Sequence, residues 1–198
     1  MPSALIALVA AVQVAAPLAP PAAVDPAAAK IQAFYPVLLE TMKHAKALGF
    51  DGRVAKLRPA ITSLFNTAAM AQFAVGPRWA SMTPAEHLSI TEALTGYTVR
   101  SYARNFDSYS DEQFHVEPQP ASHGLDKLVK TTVTTKASAP VMLSYRMREY
   151  QGTWKVIDVF YNSISQLTAQ RADFASTIAT GGAAALVQKL ESQTKPLH

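Results

Sequence analysis

The stretch APVMLSYRMREYQGTWKVIDVFYNSISQL, residues Ala139 to Leu167, decides the fold of this chain. Val141, Leu143, Tyr145 and Met147 alternate with Met142, Ser144, Arg146 and Arg148. That is the period of a strand with one apolar face. Tyr150-Gln151-Gly152-Thr153 supplies a turn in which glycine is free to take positive φ. Trp154 to Tyr161 follows, rich in the β-branched and aromatic side chains that fill a pleated surface. The two runs predict a long antiparallel hairpin that forms the back wall of an apolar pocket, with helices closing it.

Helical patterns flank the hairpin. Asp25-Pro26 starts the first helix, with Ile31, Phe34, Tyr35, Leu38, Leu39 and Met42 on one face, and Pro36 is expected to kink or divide it. Leu48-Gly49-Phe50 ends that helix. A short helix runs from Gly52 to Leu57, and Pro59 opens another. Asn66 or Thr67 caps a segment with Met70, Phe73 and Val75, stopped by Gly76-Pro77, and Trp79 falls in a loop. Thr83-Pro84-Ala85-Glu86 is a capping sequence for a helix reaching about Tyr109. Phe114 to Val116 and Leu128 to Lys136 read as strands. After Asn162 the spacing of Ile164, Leu167, Ala175 and Ile178 is helical, and Gly181-Gly182 breaks it. Helices, then about four antiparallel strands, then helices make an α+β architecture.

The chain has 198 residues, enough for one domain with a sizeable core. Residues 1–24 read as a signal-like leader, 25–192 as a single α+β domain and 193–198 as a polar tail. The apolar run Ala4 to Ala16 has the h-region of a secretory signal, with a cleavage-type end at Val14-Ala15-Ala16, but no Lys or Arg precedes it. Export is the expectation. Net charge is +4 and no basic run or nucleic-acid motif is present, so nucleic acid is not an expected partner. A weak, transient attraction to anionic membrane surfaces fits the same charge. There is no cysteine, which excludes disulfides, thiol catalysis and Cys-ligated metals.

The candidate cavity lining is Met70, Phe73, Trp79, Tyr97, Tyr102, Phe106, Leu143, Tyr145, Met147, Val156, Phe160 and Ile164. Periodicity reports burial and not what is buried against it, so ordinary core is the competing explanation. The five histidines make no ligand spacing, and neither metal nor cofactor is expected. Asp158 lies inside an apolar strand and needs a partner or a raised pKa. It is either a salt-bridge partner of Arg146 or Arg148, or the general base of a small-molecule enzyme (isomerase or dehydratase type) of the cone-shaped α+β class. The salt bridge ranks first, because no His or second carboxylate accompanies Asp158 in a recognisable pattern. Ser163 and Ser165 lack a nucleophile-elbow context.

Several segments together resemble one family. Phe73-Ala74-Val75-Gly76-Pro77-Arg78-Trp79 with Met82-Thr83-Pro84-Ala85-Glu86, Tyr102 to Glu112, Trp154-Lys155-Val156-Ile157-Asp158-Val159, and Arg171-Ala172-Asp173-Phe174 with Gly181-Gly182 and Leu186 to Leu190 are similar, in order and spacing, to the MlaC/toluene-tolerance family of periplasmic lipid-binding proteins. The resemblance covers about Ala28 to Leu190. Asn162-Ser163-Ile164-Ser165-Gln166-Leu167 departs from the mainstream segment and resembles the hopanoid-associated HpnM branch. The resemblance implies a non-enzymatic periplasmic carrier with an NTF2-like curved antiparallel sheet enclosing an apolar cavity. It implies a hopanoid or phospholipid as ligand, an MCE-type inner-membrane transporter and an outer-membrane lipid acceptor as partners, and no cofactor.

Overall fold

The computed structural model describes residues 23–136 and 138–193. The leader and tail expected from the sequence lie almost wholly outside them. Five α-helices and six strands follow in the order α1 (Pro26–Lys43), α2 (Ala45–Leu64), α3 (Thr67–Val75), a 3-10 helix (Gly76–Ser81), α4 (Pro84–Asn105), β1 (Gln113–Val116), β2 (Ala121–His123), β3 (Asp126–Thr134), β4 (Val141–Tyr150), β5 (Thr153–Tyr161), β6 (Ile164–Ser165) and α5 (Gln166–Ser192). The sheet is antiparallel and runs β1-β3-β4-β5-β6, with β2 pairing the other half of β3. This is a mixed fold of helices packed on a curved, open antiparallel sheet.

The hairpin at the centre of the sheet forms as its sequence dictates. Tyr150 pairs with Thr153, and the two turn residues Gln151 and Gly152 both have positive φ (49° and 75°). That twist matches the strands that the turn joins. One irregularity has a large effect. Arg146 pairs with Asp158 while Met147 pairs with Val156, so Ile157 is an extra residue, a β-bulge. Beyond it, Val159 and Tyr161 join Tyr145 and Leu143 on one face, and Phe160 pairs with Ser144 on the other.

Helix starts follow their capping chemistry. Thr83 and Glu86 form the reciprocal capping box, and Asn66 accepts from the Ala69 amide at 3.0 Å. Asp25 caps α1 through the Ala27 amide at 2.8 Å. Its second oxygen pairs with Lys127 at 2.5 Å, and the Lys127 ammonium lies 4.4 Å from the Trp154 ring centre. The start of α1 is thus fastened to the sheet.

Several expectations are corrected. Helix α1 continues across Pro36, because burial of Ile31, Phe34, Tyr35, Leu38 and Met42 outweighs the one backbone bond that proline removes. Helix α2 is broken at Gly49 (φ 61°, ψ −175°), where the sequence placed a break, but Pro59 lies inside its second part and does not open a helix. Trp79 belongs to the 3-10 helix. Helix α4 stops at Asn105, with Phe106 turning inward. Ile164 is in β6, paired with Tyr161, and is 62% exposed.

The core lies between the helices and one sheet face. Val129, Tyr145, Met147 and Val156 supply the sheet side, and Ile31, Leu38, Leu57, Ile61 and Leu94 the helix side. Near one end Phe65 bridges to Val156, and the Asn66 amide donates to the Val156 carbonyl at 2.9 Å. The core closes there.

Candidate ligand-binding cavity

Where α4 and α5 approach the start of β4 and the end of β5, packing does not close. A cavity of about 760 Å³ remains. Its floor is apolar: Phe65, Met70, Leu94, Tyr102 and Leu167, all buried. The sheet contributes Val133, Val141, Leu143 and Val159, with Tyr161 at the rim. The exposed lining residues Arg104, Asn105, Ser108, Ser138 and Gln166 mark the mouth. Phe106 folds over from the end of α4, stacked on Tyr102 with ring centres 5.6 Å apart.

Beneath the floor runs a buried set of hydroxyls. Tyr102 donates to the Tyr145 oxygen at 3.4 Å. The Tyr145 and Tyr35 oxygens are 3.2 Å apart, Tyr35 and Thr131 2.7 Å, and Thr131 donates to the Leu143 carbonyl at 2.5 Å. Burial pushes all three phenols well above their ordinary pKa, so they stay neutral at every physiological pH. No buried side-chain polar atom among the described residues lacks a partner. This network is a satisfied structural one, and it fixes the Tyr102 ring that floors the cavity.

Asp158 is 6% exposed and borders the cavity. Ser165 donates to its Oδ2 at 2.6 Å, and the Leu167 amide to its Oδ1 at 3.3 Å. Burial raises its pKa, and these donors oppose the rise. Ser165 also caps α5 through the Thr168 amide at 2.9 Å. The carboxylate thus holds the start of α5 against β5. The expected salt bridge is corrected: Arg146 and Arg148 both pair with Asp126, at 2.5 and 2.6 Å. Asp126 lies opposite Arg148 and diagonal to Arg146, and although Arg146 is also the cross-strand neighbour of Asp158, the Asp158 oxygens are taken by Ser165 and the Leu167 amide.

Of the residues read from the sequence as lining, Met70, Tyr97, Tyr102, Phe106 and Leu143 meet at the cavity. Tyr145, Met147 and Val156 are fully buried in the core beneath it. Phe160 faces away because of the bulge at Ile157. Ile164 is exposed on β6. Phe73 is 42% exposed, with the Arg171 guanidinium 4.9 Å from its ring centre. Trp79 stacks on His87 at 4.0 Å and does not line the cavity. Sequence reasoning missed Val141, Val159 and Tyr161 on the sheet. Strand parity from Leu143 could have found Val141, but the bulge hid the other two. It also missed the polar lining residues Ser101, Asn105, Gln166 and Gln170, which an apolar search passes over.

Among the described residues no cluster of three metal-ligating side chains is present, and no helix is long and apolar enough to cross a membrane. No curated protein matches the chain by sequence. Among solved structures, a phospholipid-binding protein from Ralstonia solanacearum, in complex with a phospholipid, is similar in fold. The two share a TM-score of 0.74 and 23% identity, over 86% of this chain and 97% of that one. The MlaC protein family model matches residues 35–192, and the chain therefore belongs to the MlaC family.

Proposed function

We propose that this protein is a periplasmic lipid carrier. It holds a hopanoid or a phospholipid in the cavity and shuttles it between an MCE-type inner-membrane transporter and an outer-membrane acceptor. The observation that carries this is the cavity itself: about 760 Å³ left unfilled above a core that is otherwise packed and hydrogen-bonded. At roughly 30 Å³ for a group the size of a water molecule, that volume holds about 25 such groups, the hydrocarbon of one lipid and not several. The phospholipid in the similar Ralstonia protein supports the same use of the fold.

Burying hydrocarbon gains about 0.8 kcal/mol per methylene on leaving water, but almost nothing on leaving a bilayer. A carrier of this kind therefore holds its cargo firmly in solution and exchanges it readily when docked. Asp158 fits a structural role better than a catalytic one, since both of its oxygens accept hydrogen bonds from the chain.

Native mass spectrometry of the exported protein, with extraction of what it releases, tests the proposal. One lipid per chain is expected. Leu143→Asp, which places a charge in the cavity wall, is expected to abolish loading while the fold persists by circular dichroism. A folded Leu143→Asp protein that still carries lipid would overturn the proposal.

A further inference from the structure

Exposed apolar side chains gather at one end of the sheet, where the cavity opens. Met142 and Tyr161 are each 48% exposed, and Ile164 is 62% exposed. Tyr161 lines the rim, and Ile164 is its partner across the β5–β6 hairpin. Met142 follows the lining residue Val141 and lies on the reverse face of the sheet, since its neighbour Leu143 is the residue opposite Tyr161. The sheet end is therefore apolar on both faces. Single exposed apolar residues are ordinary, but a group of them around a cavity mouth marks a contact surface.

The backbone around this group is prepared to leave water. Asn162 and Ser163 both take positive φ (44° and 69°) in the two-residue turn between β5 and β6. In that turn the Asn162 amide donates to the Met142 carbonyl at 2.9 Å, and the Met142 amide donates to Asn162 Oδ1 at 3.1 Å. The Gln166 side-chain amide donates to the Ile164 carbonyl at 3.1 Å. A polar group that enters an apolar medium unpaired is costly, and these are paired beforehand.

The same segments say what covers them. Neither 138–145 nor 159–170 contains a charged residue. Apart from the buried Asp158, the charged lining residues are Arg104 and Glu112, from α4 and the loop after it. An uncharged tip, apolar on both faces, offers nothing to an acidic or basic partner. Tyr161 joins an apolar ring to a polar hydroxyl, which suits the depth at which lipid head groups meet acyl chains. A lipid moves between an apolar cavity and a bilayer at almost no cost, provided that it does not cross water on the way. Apolar side chains sealing the mouth supply that passage.

Resting on the carrier reading, we propose that the sheet end carrying Met142, Tyr161 and Ile164 docks on the lipid bilayer itself. It inserts at the interface, so that the mouth opens directly onto acyl chains. The α4 side, with Arg104 and Glu112, stays at the level of the head groups. The docking is hydrophobic and does not require anionic lipid.

The test uses full-length protein, delipidated and reloaded from detergent with a fluorescent phosphatidylcholine, or with a labelled hopanoid where that loads better. Loading from detergent needs no docking. Transfer to vesicles of phosphatidylcholine alone is then followed. It is expected to speed up with vesicle concentration. It is expected to persist when salt rises from about 0.1 to about 1 M, which shortens the Debye length from about 10 to about 3 Å. A Met142→Asp/Ile164→Asp variant changes two residues that do not line the cavity. It is expected to load as wild type does and to transfer at least about tenfold more slowly. Transfer at the wild-type rate by the loaded variant overturns the docking and leaves the carrier standing. So does a rate independent of vesicle concentration, which means that lipid leaves through water. Transfer lost at high salt overturns it too, because charges then dock the protein. Transfer that appears only when a protein partner is added assigns the patch to that partner instead of the bilayer. Failure of the wild type to load either lipid overturns the carrier, and the docking with it.

Discussion

Two buried aspartates, only about thirty residues apart, respond to pH with opposite signs. The carboxyl of Asp126 is pulled up by burial but held below its ordinary range by the Arg148 and Arg146 guanidiniums. A lowered folded-state pKa gives stability that is present above the unfolded value of about 3.9 and lost as pH falls through the folded one. Asp126→Asn is expected to cost about 2 kcal/mol in urea unfolding at neutral pH, less than a fully buried pair because both arginines are partly exposed. Asp158 behaves the other way. Burial raises its pKa, so the folded state binds its proton more readily than the unfolded chain does. Its contribution to stability falls as pH rises from about 3.9 through the folded value. Asp158→Asn keeps an acceptor for the Leu167 amide and is expected to stay within about 1 kcal/mol of wild type while removing that falling slope. Unfolding measured from pH 2 to 8 checks both variants. If Asp158→Asn removes a rising slope instead, the Ser165 and Leu167 donors dominate burial.

At the scale of elements, one glycine sets the path of α5. Gly182 has φ 67° and ψ −163°, a conformation essentially closed to residues with a Cβ. A Cβ there would touch nothing within 4 Å, so the cost of Gly182→Ala is purely one of backbone. About 1–3 kcal/mol is expected, read as a lowered urea midpoint with an unchanged m-value. Gly181→Ala acts differently, because its Cβ would lie 2.5 Å from the Ala185 Cβ. The capping box of α4 gives a further check: Thr83→Ala is expected to cost about 1 kcal/mol. The β-bulge is the element-scale feature that sets which sequence positions of β5 share a face. Deleting Ile157 would remove the extra residue and make the pairs Met147–Val156, Arg146–Asp158, Tyr145–Val159 and Ser144–Phe160 regular, with Val159 and Tyr161 still on the cavity face and Phe160 still on the other. Lipid loading is expected to persist in that variant, measured by the same native mass spectrometry, since the residues beside Leu143 keep their face.

At the scale of the molecule, stability and cargo are linked. A ligand that binds only the folded state stabilises it by about RT ln(1 + [L]/Kd), some 2.7 kcal/mol at a hundred times Kd. Delipidated protein is therefore expected to melt below the protein as purified, and reloading to restore the melting temperature. Identical melting curves would argue against a cargo in the cavity. Much of this molecule was legible before its structure. The alternation of Val141 to Met147, the Gln151-Gly152 turn and the capping sequence at Thr83 are local patterns, and each formed the predicted element because short-range sterics and hydrogen bonds decide it. Strand β2 was not legible: Ala121–His123 is exposed along its length and has no apolar period to read. The end of α4 was hidden because aromatic spacing continues past Asn105 to Tyr109, which is 40% exposed in the loop beyond. The sequence by itself determined the class of fold, the hairpin, the helix starts and the list of apolar residues that must leave water. Which of them fill the core and which face open space was decided only in three dimensions. Burial is a property of each side chain's own pattern. A cavity is a mismatch between surfaces brought together from distant parts of the chain, here α4, α5 and a sheet whose parity one bulged residue reverses.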